Sequence, residues 1–311
     1  MSQPVLIALD WGTSNLRASL LDAKGHTLEA RSAPGGVMAV PDRDFAGALL
    51  RLCGDWLEAH ALPVIASGMV GSRQGWQEAP YLDCPADLAS AARQCIQVEL
   101  KTASGANRTV HIAAGLRCLH DDGAYDVMRG EETQIWGAGI PDGRCCVLPG
   151  THSKWAWTGA QGQVARFRTY LTGELYGLLT QHGILGRLMV HGQARPAAFE
   201  AGVRRGLAGH HQATHLLFAA RTAGLMGQVE PEGLPDYLSG MLLGIEIAAA
   251  SEAGGQAALA GGVTLIGDDG LCSRYETALN LAGIASARAL AEATTQGQWL
   301  LARAAGLVGA A

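Results

Sequence analysis

A strand–glycine turn–strand unit occurs twice in this chain, and that repeat constrains the fold more than any other feature. The first copy runs Val5-Leu6-Ile7-Ala8-Leu9, then Asp10-Trp11-Gly12-Thr13-Ser14-Asn15-Leu16-Arg17, then Ala18-Ser19-Leu20-Leu21-Asp22. The second runs Arg144-Cys145-Cys146-Val147-Leu148, then Pro149-Gly150-Thr151-His152-Ser153-Lys154, then Trp155-Ala156-Trp157. Short apolar runs bounded by glycine turns read as buried strands, so hairpins are predicted at 5–21 and 144–157. One such hairpin could be a surface feature. Two in a chain of 311 residues, long enough for two ordinary domains, argue for two related halves.

Strand-like and helix-like segments alternate between and after the hairpins, which predicts an α/β fold. A helix is expected over roughly 44–60, a strand at Pro63–Ser67, a glycine-dense loop from Gly68 to Trp76 and a strand at Thr109–Ala113. The polar loop His120-Asp121-Asp122-Gly123 marks a boundary, beyond which the pattern restarts with a helix at Glu131–Gly137.

Composition excludes several classes. Hydrophobic residues make up 48 % and charged residues 16 %, so a large core is available. The net charge is −5 with no long Lys/Arg block, which argues against a nucleic-acid partner. The apolar run Gly240–Ala250 is too short for a membrane span and carries Glu246, so it reads as a core helix and no membrane partner is expected. Seven scattered cysteines without a CxxC, and no secretory signal pattern, fit a reducing cytoplasm. A homodimer is the default assembly.

The turns carry chemistry. Gly12 lets the backbone approach phosphate oxygens closely, and Thr13 and Ser14 add donors. Asp10 can hold Mg²⁺ directly or through water, and Arg17 can neutralise charge. The second turn again offers a glycine, hydroxyls and a cation: Gly150, Thr151, His152, Ser153 and Lys154. In Met128-Arg129-Gly130-Glu131, a carboxylate opens a helix whose N-terminus favours an anion. Arg73 in the Gly68–Trp76 loop can grip a carboxylate bidentately, and Trp76 can pack on a sugar face. Arg168-Thr169-Tyr170-Leu171-Thr172-Gly173-Glu174 could cover a substrate, with Thr172 as a helix cap. Gly137–Gly143 has the wrong spacing for a dinucleotide fingerprint, and no GxxxxGK[ST] loop exists. His210, His211 and His215 show no convergent carboxylate in sequence and read as a polar helix end.

The two turns together are similar to the phosphate-1 and phosphate-2 loops of the sugar kinase/heat-shock-70/actin superfamily. With Gly68–Trp76, Asp126–Gln134 and Thr172–Leu175, in that order, they resemble the 2-dehydro-3-deoxygalactonokinase family from about residue 5 to about residue 283. The resemblance implies two actin-like (ribonuclease H-like) domains with an interdomain ATP cleft, over 1–123, completed by a C-terminal helix at 290–311, and over 124–289. It implies ATP-dependent phosphorylation of 2-dehydro-3-deoxy-D-galactonate at the 6-hydroxyl, with ATP and Mg²⁺ as cofactors. Glu131 would be the base, with nearby Asp126 as its alternative, and Asp10 would hold the metal. Gly12, Thr13, Ser14, Arg17, Gly150, Thr151, His152, Ser153 and Lys154 would bind ATP. Gly267 would mark the adenosine loop, with Gly261-Gly262 as another phase. The small-molecule sugar acid would meet Gly36, Ser72, Arg73, Gln74, Trp76, Arg168, Thr172 and Glu174, its carboxylate falling to Arg73 or Arg168. A kinase of another sugar acid, or a non-kinase nucleotide-binding regulator, is the competing reading.

Overall fold

A computed structural model describes residues 2–289 and 292–309. Leu290, Ala291, Ala310 and Ala311 of the expected C-terminal helix lie outside the described residues. The chain divides into two compact units. The first comprises residues up to Asp142, Thr158–Arg166 and the described C-terminal residues, and the second comprises Gly143–Trp157 and Phe167–Ala289.

Unit 1 opens with strands β1 (Pro4–Trp11), β2 (Asn15–Asp22) and β3 (Thr27–Pro34), then helix α1 (Phe45–Ala59) and β4 (Val64–Ser67). It continues through β5 (Tyr81–Asp83), α2 (Leu88–Arg93), β6 (Ile96–Lys101), β7 (Asn107–Ile112), β8 (Gly115–Leu119), β9 (Tyr125–Met128) and α3 (Glu131–Ala138). A six-stranded sheet has the order β3-β2-β1-β4-β7-β6, and a smaller sheet has the order β5-β8-β9. β1 is antiparallel to β2 but parallel to β4. Side chains alternate between faces along a strand, so Ile7, Leu9 and Trp11 reach one core with Val64, Ala66, Val110 and Ile112. Leu49, Cys53, Trp56 and Leu57 of α1 close that core. Asp44 caps α1 by accepting from the Gly47 amide at 2.8 Å.

Unit 2 contains β10 (Cys145–Leu148), β11 (Ser153–Thr158) up to Trp157, β12 (Val164–Tyr170) from Phe167 onward, α4 (Thr172–Gln181), α5 (Pro196–Gly209), α6 (Ala213–Leu225) and α7 (Leu234–Gly254). It ends with α8 (Gln256–Leu259), β13 (Val263–Leu265), α9 (Asp269–Leu281) and β14 (Ser286–Arg288). The sheet order is β12-β11-β10-β13-β14. Again an antiparallel hairpin leads into a parallel neighbour, so the two units share a strand plan. The apolar run at 240–250 lies inside α7, which packs backbone to backbone on α5 through Gly202, Gly206, Gly240 and Gly244. Among the described residues no helix is long and apolar enough to cross a membrane.

Helix α10 (Ala293–Ala304) belongs to unit 1, where it packs on α3, α2, β1 and β4. The expected boundary after residue 123 therefore falls after Asp142 instead. The reason is physical: β9 completes the small sheet against β8, and α3 packs backbone to backbone on α10, Gly137 against Ala293 and Thr133 against Gly297.

Candidate active site

In unit 1, parallel pairing sets Asp10 opposite Ser67, so the first turn and the Gly68 loop leave the sheet at the same end. Open α/β sheets bind ligands outside the carboxyl ends of their strands. Asp10 is 23 % exposed there, with Arg17 Nη1 at 3.2 Å from its Oδ2. Burial pushes the Asp10 carboxyl up. Arg17 opposes the rise, and the charge of Glu131 adds to it. Glu131 is thus in the electrostatic neighbourhood of Asp10. It is the first residue of α3, behind Gly130 at φ +105, and its Oε2 accepts from the Arg129 amide at 2.9 Å. Asp126 stands on β9 with His120 Nε2 at 2.9 Å from its Oδ2.

The first turn rests on Gly36. A Cβ there would lie 2.1 Å from the carbonyl carbon and oxygen of Thr13 and 2.3 Å from the Ser14 amide. Gly36 therefore supports the turn from beneath and is buried, which corrects the expectation of a substrate contact. Gly12 closes the turn by donating to the Asn15 carbonyl at 3.0 Å, and Thr13 and Ser14 are exposed at its tip. Arg73 and Gln74 are exposed on the Gly68 loop, whereas Ser72 is buried. Trp76 is partly buried: it packs beside Trp11 and stacks on Phe45 at 6.3 Å.

In unit 2 the second turn is clamped by the start of α4. The Glu174 amide donates to the Thr151 carbonyl at 3.0 Å, and His152 Nε2 pairs with Glu174 Oε2. Gly150 and Thr151 remain accessible at the tip. Lys154 is buried, with Nζ donating to the His152 carbonyl at 3.0 Å. Ser153 is fully buried and its hydroxyl donates to Glu246 Oε1 at 2.7 Å, so that hydroxyl is not the phosphate donor expected from sequence. Thr172 makes no cap. It is the first residue of α4, and its hydroxyl donates to Glu246 Oε2. Arg168 is half-buried on edge strand β12. Gly267 follows the carboxyl end of β13, where its Cβ position is 3.7 Å from Pro149. Gly261-Gly262 precede β13 and stand at the opposite end of the strand, away from the second turn. A pocket of about 280 Å³ opens beside Gly150, lined by Thr172, Tyr176, Leu242, Leu271, Arg274 and Tyr275.

Sequence reasoning missed four supporting groups. Glu132 is fully buried, and the Gly130 amide donates to both its oxygens at 2.8–2.9 Å. Gln298 of α10 donates to the Leu9 carbonyl at 2.7 Å and to Ser67 Oγ at 2.9 Å, which ties both strand ends of the first site together. Arg43 donates to the carbonyls of Gln74 and Gly75 at 3.1 and 2.7 Å and holds the Gly68–Trp76 loop. Glu246 registers in sequence only as a charge in an apolar run. A lone acid in such a run is itself the signal, since a buried carboxylate needs donors. The histidine pair also finds the carboxylate that the sequence does not show: His210 and His211 Nε2 lie 2.9 and 3.4 Å from Glu252 Oε1.

Comparison with known proteins agrees with this architecture. A family model described as 2-keto-3-deoxy-galactonokinase matches residues 10–301. The 2-dehydro-3-deoxygalactonokinase of Escherichia coli (strain K12) is 37 % identical over 278 residues, covering 89 % of this chain and 90 % of that protein. A crystal structure from Sinorhizobium meliloti named for the same kinase is 34 % identical, with a TM-score of 0.84 over 96 % of this chain and 98 % of that one. Likeness of fold alone extends to xylulose kinase from Lactobacillus acidophilus, 10 % identical with a TM-score of 0.50 over 97 % and 89 % of the two chains. The fold is accordingly the two-domain actin-like fold of sugar kinases. A family match across most of the length, with a relative at this identity, means that the chain belongs to the 2-keto-3-deoxy-galactonokinase family of carbohydrate kinases.

Proposed function

We propose that this protein transfers the γ-phosphoryl group of ATP to the 6-hydroxyl of 2-dehydro-3-deoxy-D-galactonate, releasing ADP, as a cytoplasmic step of D-galactonate breakdown. The family supports the activity, and the observation that supports the mechanism best is that Gly130, directly before Glu131, abuts Gly68 just past β4, whose last residue Ser67 pairs with Asp10. Their roles differ by environment. Asp10 ends a strand and carries a guanidinium partner. Glu131 opens a helix, at the end where the backbone amides point outward.

Mg²⁺ fits the first site. Its donor there is a hard carboxylate oxygen, and the repulsion that Asp10 feels from Glu131 is the kind a divalent cation relieves. Bound at Asp10, the ion would neutralise charge on the β- and γ-phosphates. The amides and hydroxyls of Thr13 and Ser14, with the Gly12 backbone, present donors to phosphate oxygens in unit 1. Gly150 and Thr151 do so in unit 2, and the pocket beside Gly150 takes the adenosine. Arg17 balances charge beside Asp10. Glu131 accepts the proton of the attacking hydroxyl, and Arg73 holds the substrate carboxylate with Ser72 and Gln74 alongside. Phosphoryl transfer asks little covalent chemistry of a protein, so positioning by these groups supplies most of the rate.

A coupled ADP-release assay over a panel of 2-keto-3-deoxy sugar acids tests the proposal. The highest kcat/KM is expected with 2-dehydro-3-deoxy-D-galactonate, with the phosphate on O6 by ³¹P NMR. ADP release that no sugar acid stimulates would refute it.

A further inference from the structure

We infer that Glu246 is a positioning residue for ATP: it sets the geometry of the nucleotide-binding surface of unit 2 through Ser153, Thr172 and Tyr275. The inference rests on the kinase reading above. Glu246 lies on α7, whose backbone is seated against α5, so its main chain has little freedom. The residue is 2 % exposed. Its Oε1 accepts from Ser153 Oγ and Trp155 Nε1 at 2.7 Å each and from Tyr275 Oη at 2.9 Å. Its Oε2 accepts from Tyr275 Oη at 2.9 Å and from Thr172 Oγ1. The donors come from three elements far apart in sequence: the start of β11, the start of α4 and the middle of α9.

A core needs no such group. Replacing buried charges by well-packed apolar residues is often neutral or stabilising, so a carboxylate on a helix that also buries Leu242, Leu243 and Ile247 is poorly explained by stability alone. Its partners explain it better. Ser153 is the residue at which the second turn re-enters the sheet. Thr172 and Tyr275 line the pocket of about 280 Å³ beside Gly150. Thr172 also begins the helix whose Glu174 amide holds the Thr151 carbonyl. One buried carboxylate thus fixes the turn, the helix that clamps the turn, and one wall of the pocket. A carboxylate suits this task because its two oxygens accept and each of these four side chains can donate; burial pushes the Glu246 carboxyl up, and these donors oppose the rise.

Glu246→Gln separates the roles. Trp155 Nε1 can only donate, so the amide oxygen must face Trp155 and Ser153. The amide nitrogen then faces Thr172, whose hydroxyl has to turn away from its present donation. Packing volume is kept, but the charge-assisted bond to the start of α4 becomes a neutral one, with Thr172 Oγ1 accepting from the amide. We expect KM for ATP and Kd for ADP, the latter by calorimetry, to rise about tenfold, the loss of one charge-assisted hydrogen bond. KM for the sugar acid should stay within about twofold. Thr172→Val should raise KM for ATP in the same direction, and Thr172→Ser should restore it.

A folded Glu246→Gln protein whose ATP KM and ADP Kd match wild type would overturn the inference. So would equal rises in both KM values, which mark a general structural loss. If Glu246→Gln does not fold, the Thr172→Val and Thr172→Ser pair decides, and unchanged ATP KM in both overturns the inference. A wild-type protein that phosphorylates no sugar acid would refute the kinase reading instead, while the ADP titrations would still test Glu246.

Discussion

Gly173 and Gly177 stand one helical turn apart on α4, and the same substitution should have opposite effects at the two. A Cβ on Gly173 would lie 2.5 Å from the Gly150 carbonyl oxygen and 2.8 Å from Thr151 Cα. Non-bonded heavy atoms settle near about 3.5 Å, so either α4 or the second turn must retreat by about 1 Å. The obstacle is backbone on both sides, so no side-chain rotation relieves it. A displacement of about 1 Å at a positioning element can cost about 10²-fold in rate, which is about 2.7 kcal/mol of transition-state stabilisation. Overpacking adds about 1–3 kcal/mol of lost folding stability. Gly177→Ala meets nothing within 4 Å and sits in the helix interior. There the methyl should stabilise by about 0.5–1 kcal/mol with activity unchanged. The assay is coupled ADP release at varied ATP, with thermal melts of both variants. If Gly173→Ala keeps kcat/KM within about threefold of wild type, under about 1 kcal/mol, the clamp on the second turn is not what the structure implies.

Three further outcomes are expected. Glu131→Gln should lose about 10²–10⁴ in kcat with the fold intact, while Asp126→Asn, whose carboxylate is held by His120, should lose under about tenfold; the reverse ranking would move the base to Asp126. Arg73→Met should raise KM for the sugar acid far more than for an uncharged sugar analogue, and equal losses on both would reject a carboxylate contact. Burial, then the charge of Glu131, lifts the Glu132 carboxyl from its ordinary 4.5 to about 7, so the folded protein holds a proton that the unfolded chain has released. That stabilisation is complete below about pH 4.5, declines as pH rises and is gone above about 7. Chemical denaturation across this window should show the decline in wild type and lose it in Glu132→Gln; a persisting decline would assign it to another group.

What the sequence discloses and what it hides divide along a physical line. The hairpins, α1 and α3 are legible because their signals are local: apolar runs, glycine turns, an Asp44 cap and a carboxylate at a helix start. The strand-end position of Asp10 and the helix-start position of Glu131 are legible for the same reason. The partners of Ser153, Thr172 and Trp76 are not, because a hydroxyl or an indole does not announce them. Ser153 and Thr172 meet a carboxylate 93 and 74 positions away, and Trp76 is claimed by Trp11 and Phe45. The domain boundary is hidden by the same kind of long-range contact, since only the packing of α10 on α3 shows that residues 124–142 belong with the first unit. Gly36 and Gly173 carry the consequence furthest. In sequence each stands beside residues that invite a ligand, yet in the structure each is required because another backbone passes where its side chain would be. In both units a turn that must hold its shape is braced by a glycine from a distant segment. The placement of the donors proposed to face phosphate therefore depends on residues behind them, which is why the substitutions most informative about this enzyme lie one layer behind its candidate site.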